Sequence, residues 1–180
     1  MLRHHGATPL NAGNQAISVE RTVVMGERKR ADAISYGRAV ANALTAVGVE
    51  NGGAAPAGEP GKLKRGLGIS LLDPYWHIPD FENSVRMSLE WDEEHGWALL
   101  DVNEPGAARG YAYTYHDLEL GVLPEPADVA RLVDSVLAGK ERLSGGFRRK
   151  YRMAIKHNVD FEAALAAYAA EFPGDSGAPL

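Results

Sequence analysis

An α+β fold, a three- to four-stranded antiparallel sheet packed by helices plus a C-terminal helical pair, is what this sequence predicts. Three observations carry that expectation. Val85, Met87, Leu89 and Trp91 alternate with Arg86, Ser88, Glu90 and Asp92, the period of a strand with one buried and one wet face. Apolar residues recur at steps of three and four on both sides of this block, as amphipathic helices require. No internal repeat of fixed period is present, which disfavours solenoids and propellers.

The elements follow in chain order. Residues 1–31 read as a mobile tail whose one apolar patch, Thr22 to Met25, is too short to choose between an edge strand and coil. Ala33, Gly37, Val40, Leu44 and Val47 then mark a helix, with Asp32 beside its start and Gly48 just past its end. Residues 50–61 carry almost no bulky side chain, so burial cannot offset the entropy of ordering them, and a flexible loop is expected. Gly68 to Asp73 is a candidate strand that Pro74 closes. Asp92 to Gly96 supplies turn formers and Trp97 to Val102 resumes an apolar run, so residues 84–102 form a β-hairpin in which Trp91 faces Trp97.

A further strand is expected over 110–115, with Tyr111, Tyr113 and Tyr115 on one half-exposed face. Pro126 and Asp128 open a helix whose stripe is Val129, Leu132, Val133, Val136 and Leu137. Beyond it, 143–158 reads as a helix with Phe147, Tyr151, Ala154 and Ile155 inward. A second helix from Asp160 presents Phe161, Leu165, Tyr168 and Phe172 before Pro173 and Gly174 stop it. The organisation is therefore a tail (1–31), a core domain (32–139), a basic and alanine-rich helical extension (140–172) and a disordered end (173–180). The expected core comprises Val40, Leu44, Val85, Met87, Leu89, Trp91, Trp97, Leu99, Val129, Leu132, Val133 and Val136.

Composition narrows the chemistry. With 180 residues the chain suits one domain with appendages, and its mean hydropathy of −0.25 is that of a soluble protein. Zero cysteines exclude a disulfide scaffold, thiolate catalysis and every cysteine-ligated metal centre. No run reaches the roughly 18 to 20 apolar residues that cross a bilayer, and the amino end lacks the apolar block of a signal peptide. The expected compartment is the cytoplasm, without membrane association.

Motifs for phosphate and dinucleotide binding fail on their spacing: Pro56 stands where a phosphate loop needs glycine, Leu63 replaces its hydroxyl residue, and Gly66-Leu67-Gly68 lacks a third glycine and a following helix. No cofactor is expected. Asp73, His77 and Asp80 share one loop with Glu82 and are the candidate ligands of a divalent metal in a hydrolase reading. The competing and favoured reading has the loop's aromatics, Tyr75, Trp76 and Phe81, plugging the sheet or meeting a partner while its acids face water. Asp92 to His95 reads as a solvated hairpin tip rather than a cation clip. His116-Asp117 resembles an oriented base, but no nucleophile elbow accompanies it, and a satisfied surface histidine is favoured.

Charge distribution says more than any motif. Lys140 to Lys156 holds seven bases and one acid, +6, leaving −11 on the remainder of a chain whose net charge is −5. Arg148, Arg149, Lys150, Arg152 and Lys156 are the candidates for nucleic-acid contact, with Phe147 and Tyr151 available for stacking. Contact with the protein's own acidic surface, in a homo-oligomer, or a solvated helix face is the favoured alternative, since the pI is near 5.7.

The stretches Tyr36-Gly-Arg-Ala-Val-Ala-Asn-Ala-Leu, Trp91-Asp-Glu-Glu-His-Gly-Trp-Ala-Leu and Gly121-Val-Leu-Pro-Glu-Pro-Ala-Asp-Val-Ala together resemble an uncharacterised family of small actinobacterial proteins. The resemblance covers roughly residues 33–138, and the tryptophan-flanked hairpin is its most specific part. It implies a helix, sheet, helix domain in a bacterial cytoplasm and implies no activity. The Gly/Ala/Pro segment before the first strand and the carboxyl end depart from that pattern. The expected function is a non-catalytic binding or adaptor domain acting on an unknown protein partner, with Tyr75, Trp76, Phe81, Tyr111, Tyr113 and Tyr115 as contact residues. The alternatives are a nucleic-acid-binding accessory protein and a metal-dependent hydrolase.

Overall fold

A computed structural model describes residues 30–57, 64–72, 78, 81–104 and 110–171. The expectations for the amino tail before Arg30, for Asp73, Tyr75, Trp76, His77 and Asp80, and for residues 172–180 lie outside the described residues. The chain runs α1 (Ile34–Ala46), β1 (Asn51–Pro56), β2 (Gly66–Leu71), β3 (Ser84–Asp92), β4 (Gly96–Asn103), β5 (Ala112–Asp117), α2 (Pro126–Leu137) and α3 (Val159–Glu171). The strands form one antiparallel meander in the order β1-β2-β3-β4-β5, so the sheet has five strands, not three or four.

Local chemistry explains the ends of α1. The Asp32 carboxylate accepts the Ile34 N–H at 3.0 Å. At the other end Gly48 takes φ +89°, and the Gly48 and Val49 amides donate to the Thr45 and Leu44 carbonyls, a glycine-terminated cap. Proline at the start of α2 fits a position whose N–H has no helical partner.

The additional strand is β1, in the stretch expected to be a loop. Its small residues permit the strand rather than forbidding it. Ala54 pairs with Ile69 and lies beneath α1 at Gly37, where an added Cβ would come within 2.9 Å of both Ala54 Cβ and Leu67 Cδ1. Helix and sheet therefore approach closely only because bulk is missing on both sides. Pro56 is tolerated because β1 is an edge strand.

One face of the sheet carries Leu67, Ile69, Leu71, Met87, Leu89, Trp91, Trp97 and Leu99, buried with Tyr36, Val40 and Leu44 of α1, Val129, Val133 and Val136 of α2, and Phe161 and Leu165 of α3. Trp91 pairs with Trp97 across the hairpin, as the alternation requires. Tyr36 sits 5.9 Å from the Trp91 ring and 6.1 Å from that of Trp97. Its hydroxyl accepts the Trp97 Nε1–H at 2.9 Å and donates to the Pro124 carbonyl at 2.8 Å, while Trp91 Nε1 donates to the Val122 carbonyl at 2.6 Å. Every polar atom of this aromatic cluster is thus satisfied, as burial demands. Burial also pushes the Tyr36 phenol far above its usual range.

Two core assignments change. Val85 is 54% exposed because a bulge between Ser84 and Arg86 shifts the strand's register there, and Leu132 is only half-buried. The C-terminal helical pair is a single helix. Residues 143–158 contain no helix, Phe147 and Ile155 point to solvent, and Gly145-Gly146 instead continues the edge of β5 through a bridge to His116. Among the described residues no helix is long and apolar enough to cross a membrane.

Candidate functional site

The β3–β4 turn was expected to be a solvated run of acids, and it is the most highly connected polar site among the described residues. Glu93 is fully buried, with 0% exposure. A carboxylate in that position survives only with several strong donors, and it has them. Arg65 donates to it from its backbone N–H (2.8 Å), Nε (3.2 Å) and Nη2 (2.7 Å), Arg152 donates from Nη1 (2.8 Å), and Arg30 makes a further ion pair. Burial alone raises a carboxyl pKa, but the three arginines overcome it and hold Glu93 at about 2. Arg65 turns its other edge to Glu162 of α3 (2.7 and 2.9 Å), whose second role is to accept the Ala31 N–H at 2.8 Å. Phe161 lies under both guanidiniums, 4.2 Å from that of Arg152 and 5.4 Å from that of Arg65.

Asp92 and Glu94 extend the network to the outer side. Asp92 caps the turn by accepting the Glu94 and His95 amides (2.9 and 3.0 Å), and pairs with His95 Nδ1 and with Arg148 Nη1, both at 2.9 Å. Burial works against its ionised form, but Arg148, His95 and the Glu94 amide together hold its pKa below the usual range. The Arg148 guanidinium also donates to the Gly96 carbonyl and rests 5.5 Å from the Tyr115 ring. Glu94 accepts the Ala154 N–H at 2.8 Å and pairs with Lys150 at 3.1 Å, which lowers its carboxyl pKa. A cleft of about 290 Å³ opens beside these groups, lined by Lys64, Arg65, Glu90, Asp92, Tyr115 and Arg148.

The basic segment therefore meets an acidic surface of its own chain. Arg148 and Arg152, with side chains 15% and 12% exposed, are engaged by Asp92 and Glu93. Arg149 donates its backbone N–H to Asp117 at 2.6 Å, while the side chain of Lys150 is 50% exposed and Lys156 lies on the surface. Sequence reasoning missed Arg30, Arg65 and Glu162. Two of them bear a local trace: Arg65 abuts the apolar run of β2, and Glu162 follows the buried Phe161 on a helix where a charge is expected to face away.

A second surface lies at the far end of the outer sheet face. Tyr111 precedes β5 and Tyr113 lies within it, each 59% exposed. With Val85, Arg86 and Val102 they line a cleft of about 310 Å³. Tyr115 points the same way as Tyr113, but it is half-buried and donates its hydroxyl to Glu90 at 3.2 Å. Phe81, expected as a contact residue, is 3% exposed and belongs to the core, stacked edge-on against His116 at 5.5 Å. The sheet needed that ring to close its interior, so it cannot also present itself to a partner. Among the described residues no three His, Asp or Glu side chains gather as metal ligands.

No curated protein matches the chain, and no solved structure does. A family model, described as a family of unknown function (DUF6292), matches residues 36–135, from Tyr36 of the aromatic cluster through the hairpin to Ser135 of α2. Spanning more than half of the sequence and the whole of the sheet, the match shows that this chain belongs to the DUF6292 family.

Proposed function

We propose that this chain is a non-catalytic binding or adaptor domain that acts through protein contacts, in the cytoplasm of an actinobacterium, and that Tyr111 and Tyr113 with Val85 and Arg86 form its contact surface. The observation that carries the reading is the pair of tyrosines, each 59% exposed beside the 54% exposed Val85. Tyrosine and arginine are enriched where proteins meet, because a tyrosine offers a large, stiff, amphipathic face at low entropic cost. The sheet's Trp91 and Trp97 are consumed by folding, hydrogen-bonded in the core beside Tyr36 of α1.

Nucleic-acid binding through residues 148–156 ranks second, because Arg148 and Arg152 would have to leave Asp92 and Glu93 to reach a phosphate. The hydrolase alternative depends on Asp73, His77 and Asp80, outside the described residues.

A photo-crosslinking amino acid placed at Tyr113 in the native host tests the proposal, with the exposed Lys140 as the control position. The expected result is a discrete cross-linked protein from position 113 only, lost in the Tyr111→Ser and Arg86→Ser background. Identical background from both positions would refute it, and a band at twice the chain's mass would identify a second copy as the partner. Duplex and single-stranded DNA titrated at rising salt give the competing outcome: salt-sensitive binding that Arg149→Ala and Lys150→Ala abolish.

A further inference from the structure

Residues 145–156 are held to the domain as a bound peptide would be, and the donors and acceptors divide cleanly between the two sides. The segment supplies donors: the Gly146 N–H to the Tyr115 carbonyl (3.0 Å), the Arg149 N–H to Asp117 (2.6 Å), the Tyr151 N–H to the Glu94 carbonyl (2.8 Å) and the Ala154 N–H to the Glu94 carboxylate (2.8 Å). Two of its three arginines, Arg148 and Arg152, lie four residues apart and enter separate sites. Arg148 lies against Tyr115 and reaches Asp92 and the Gly96 carbonyl, and Arg152 reaches Glu93. Every one of these acceptors lies within the 36–135 stretch that defines the family match, and the whole segment lies beyond it.

The segment contributes little to the core. None of residues 141–160 is buried, and Phe147, Met153 and Ile155 are 105%, 42% and 71% exposed. A stretch without regular structure and without a buried residue, anchored chiefly by Arg148 and Arg152, opens locally at lower cost than packed strands. Main-chain capture along a sheet edge combined with side-chain sites is also an established mode of peptide recognition.

We infer that the β5 edge and the β3–β4 turn form a docking groove for an extended segment of the pattern Arg-x-x-x-Arg, that residues 145–156 fill it within the same chain, and that a segment of this kind from another protein can replace them. Asp92 and Glu93 select Arg148 and Arg152, and Glu94 fixes the register by taking three backbone amides, those of Tyr151, Arg152 and Ala154. The groove is separate from the tyrosine surface at Tyr111 and Tyr113, so the two readings stand or fall independently.

The test uses the full chain and a fluorescein-labelled synthetic peptide of residues 144–156. In wild type the attached segment competes at an effective concentration of roughly millimolar, so the peptide binds poorly. Replacing Arg148→Ala and Arg152→Ala in the protein weakens that competitor and keeps Asp92, Glu93 and Glu94 of the groove, with Arg30 and Arg65 still paired to Glu93. Peptide affinity should rise about tenfold or more, fall at higher salt, and vanish when the same two arginines are alanine in the peptide. Equal binding to wild type and variant, no binding to the folded variant, or undiminished binding of the alanine peptide would each overturn the inference. Hydrogen exchange on the wild-type chain supplies a reading that needs no substitution. The Arg149, Tyr151 and Ala154 amides should exchange about a hundredfold faster than that of Leu99, and protection equal to that of Leu99 overturns the inference as well.

Discussion

Replacing Glu93 with glutamine removes one negative charge, keeps the shape of the side chain and turns one acceptor into a donor aimed at arginines. The structure sets the size of the effect. Glu93 titrates at about 2 instead of the ordinary 4.5, which favours the folded, ionised form by about 3 kcal/mol at neutral pH. Severing a buried pair costs about 3–5 kcal/mol, and the Arg30 side chain, 32% exposed, recovers part of its hydration when released. The lower end of that range, about 3 kcal/mol, is the expected loss for E93Q at pH 7, measured by urea unfolding followed through tryptophan fluorescence. Because the folded-state pKa is depressed, this stabilisation is fully present above 4.5 and disappears as pH falls through about 2. The gap between wild type and E93Q should narrow across that window. A loss below about 1 kcal/mol at pH 7, or a gap that stays constant from pH 4.5 to 2, would refute the assignment of Glu93 as the charged centre of the network.

Other substitutions separate the remaining parts of the account. Trp97→Phe breaks the indole bond to the Tyr36 hydroxyl and should cost about 1–3 kcal/mol in the same assay. Gly96→Ala combines a φ of +73° with a Cβ that would collide with the Gly121 carbonyl, so the melting temperature should drop by several degrees and the variant should express poorly. Val85→Thr, at the exposed bulge, should stay within about 0.5 kcal/mol of wild type, whereas Leu89→Ala in the same strand should cost about 2–5 kcal/mol. Equal losses for those two would contradict the bulge.

What the sequence discloses and what it hides divide along physical lines. The Trp91–Trp97 register is readable because a period-two pattern and a turn with Gly96 are local properties, and the register requires no distant information. The caps of α1 and α2 are local in the same sense, and Gly48 and Pro126 mark them. Strand β1 is not readable from Asn51–Pro56, since its residues have weak strand preference and become a strand only because Leu67 to Leu71 offers a ladder and Gly37 offers space. The segment 143–158 shows the reverse failure. Its apolar spacing suits a helix, yet its amides are claimed by Tyr115, Asp117 and Glu94. The hairpin tip is the clearest case. Acids at a turn normally face water, and what buries Glu93 is a set of arginines 28, 59 and 63 positions away, a distance over which no local pattern carries a signal. That buried charge occupies Arg152 and the neighbouring Asp92 occupies Arg148, although both arginines are conspicuous as free bases in the sequence.

The most direct measurement is a double-mutant cycle between Glu93 and Arg152, using Glu93→Gln and Arg152→Met with unfolding free energies at pH 7. If the buried carboxylate of the turn holds the C-terminal segment in place, the two substitutions together should cost less than the sum of their separate effects by at least about 1 kcal/mol. Additive losses, agreeing within about 0.3 kcal/mol, would show that the two side chains do not act on one another.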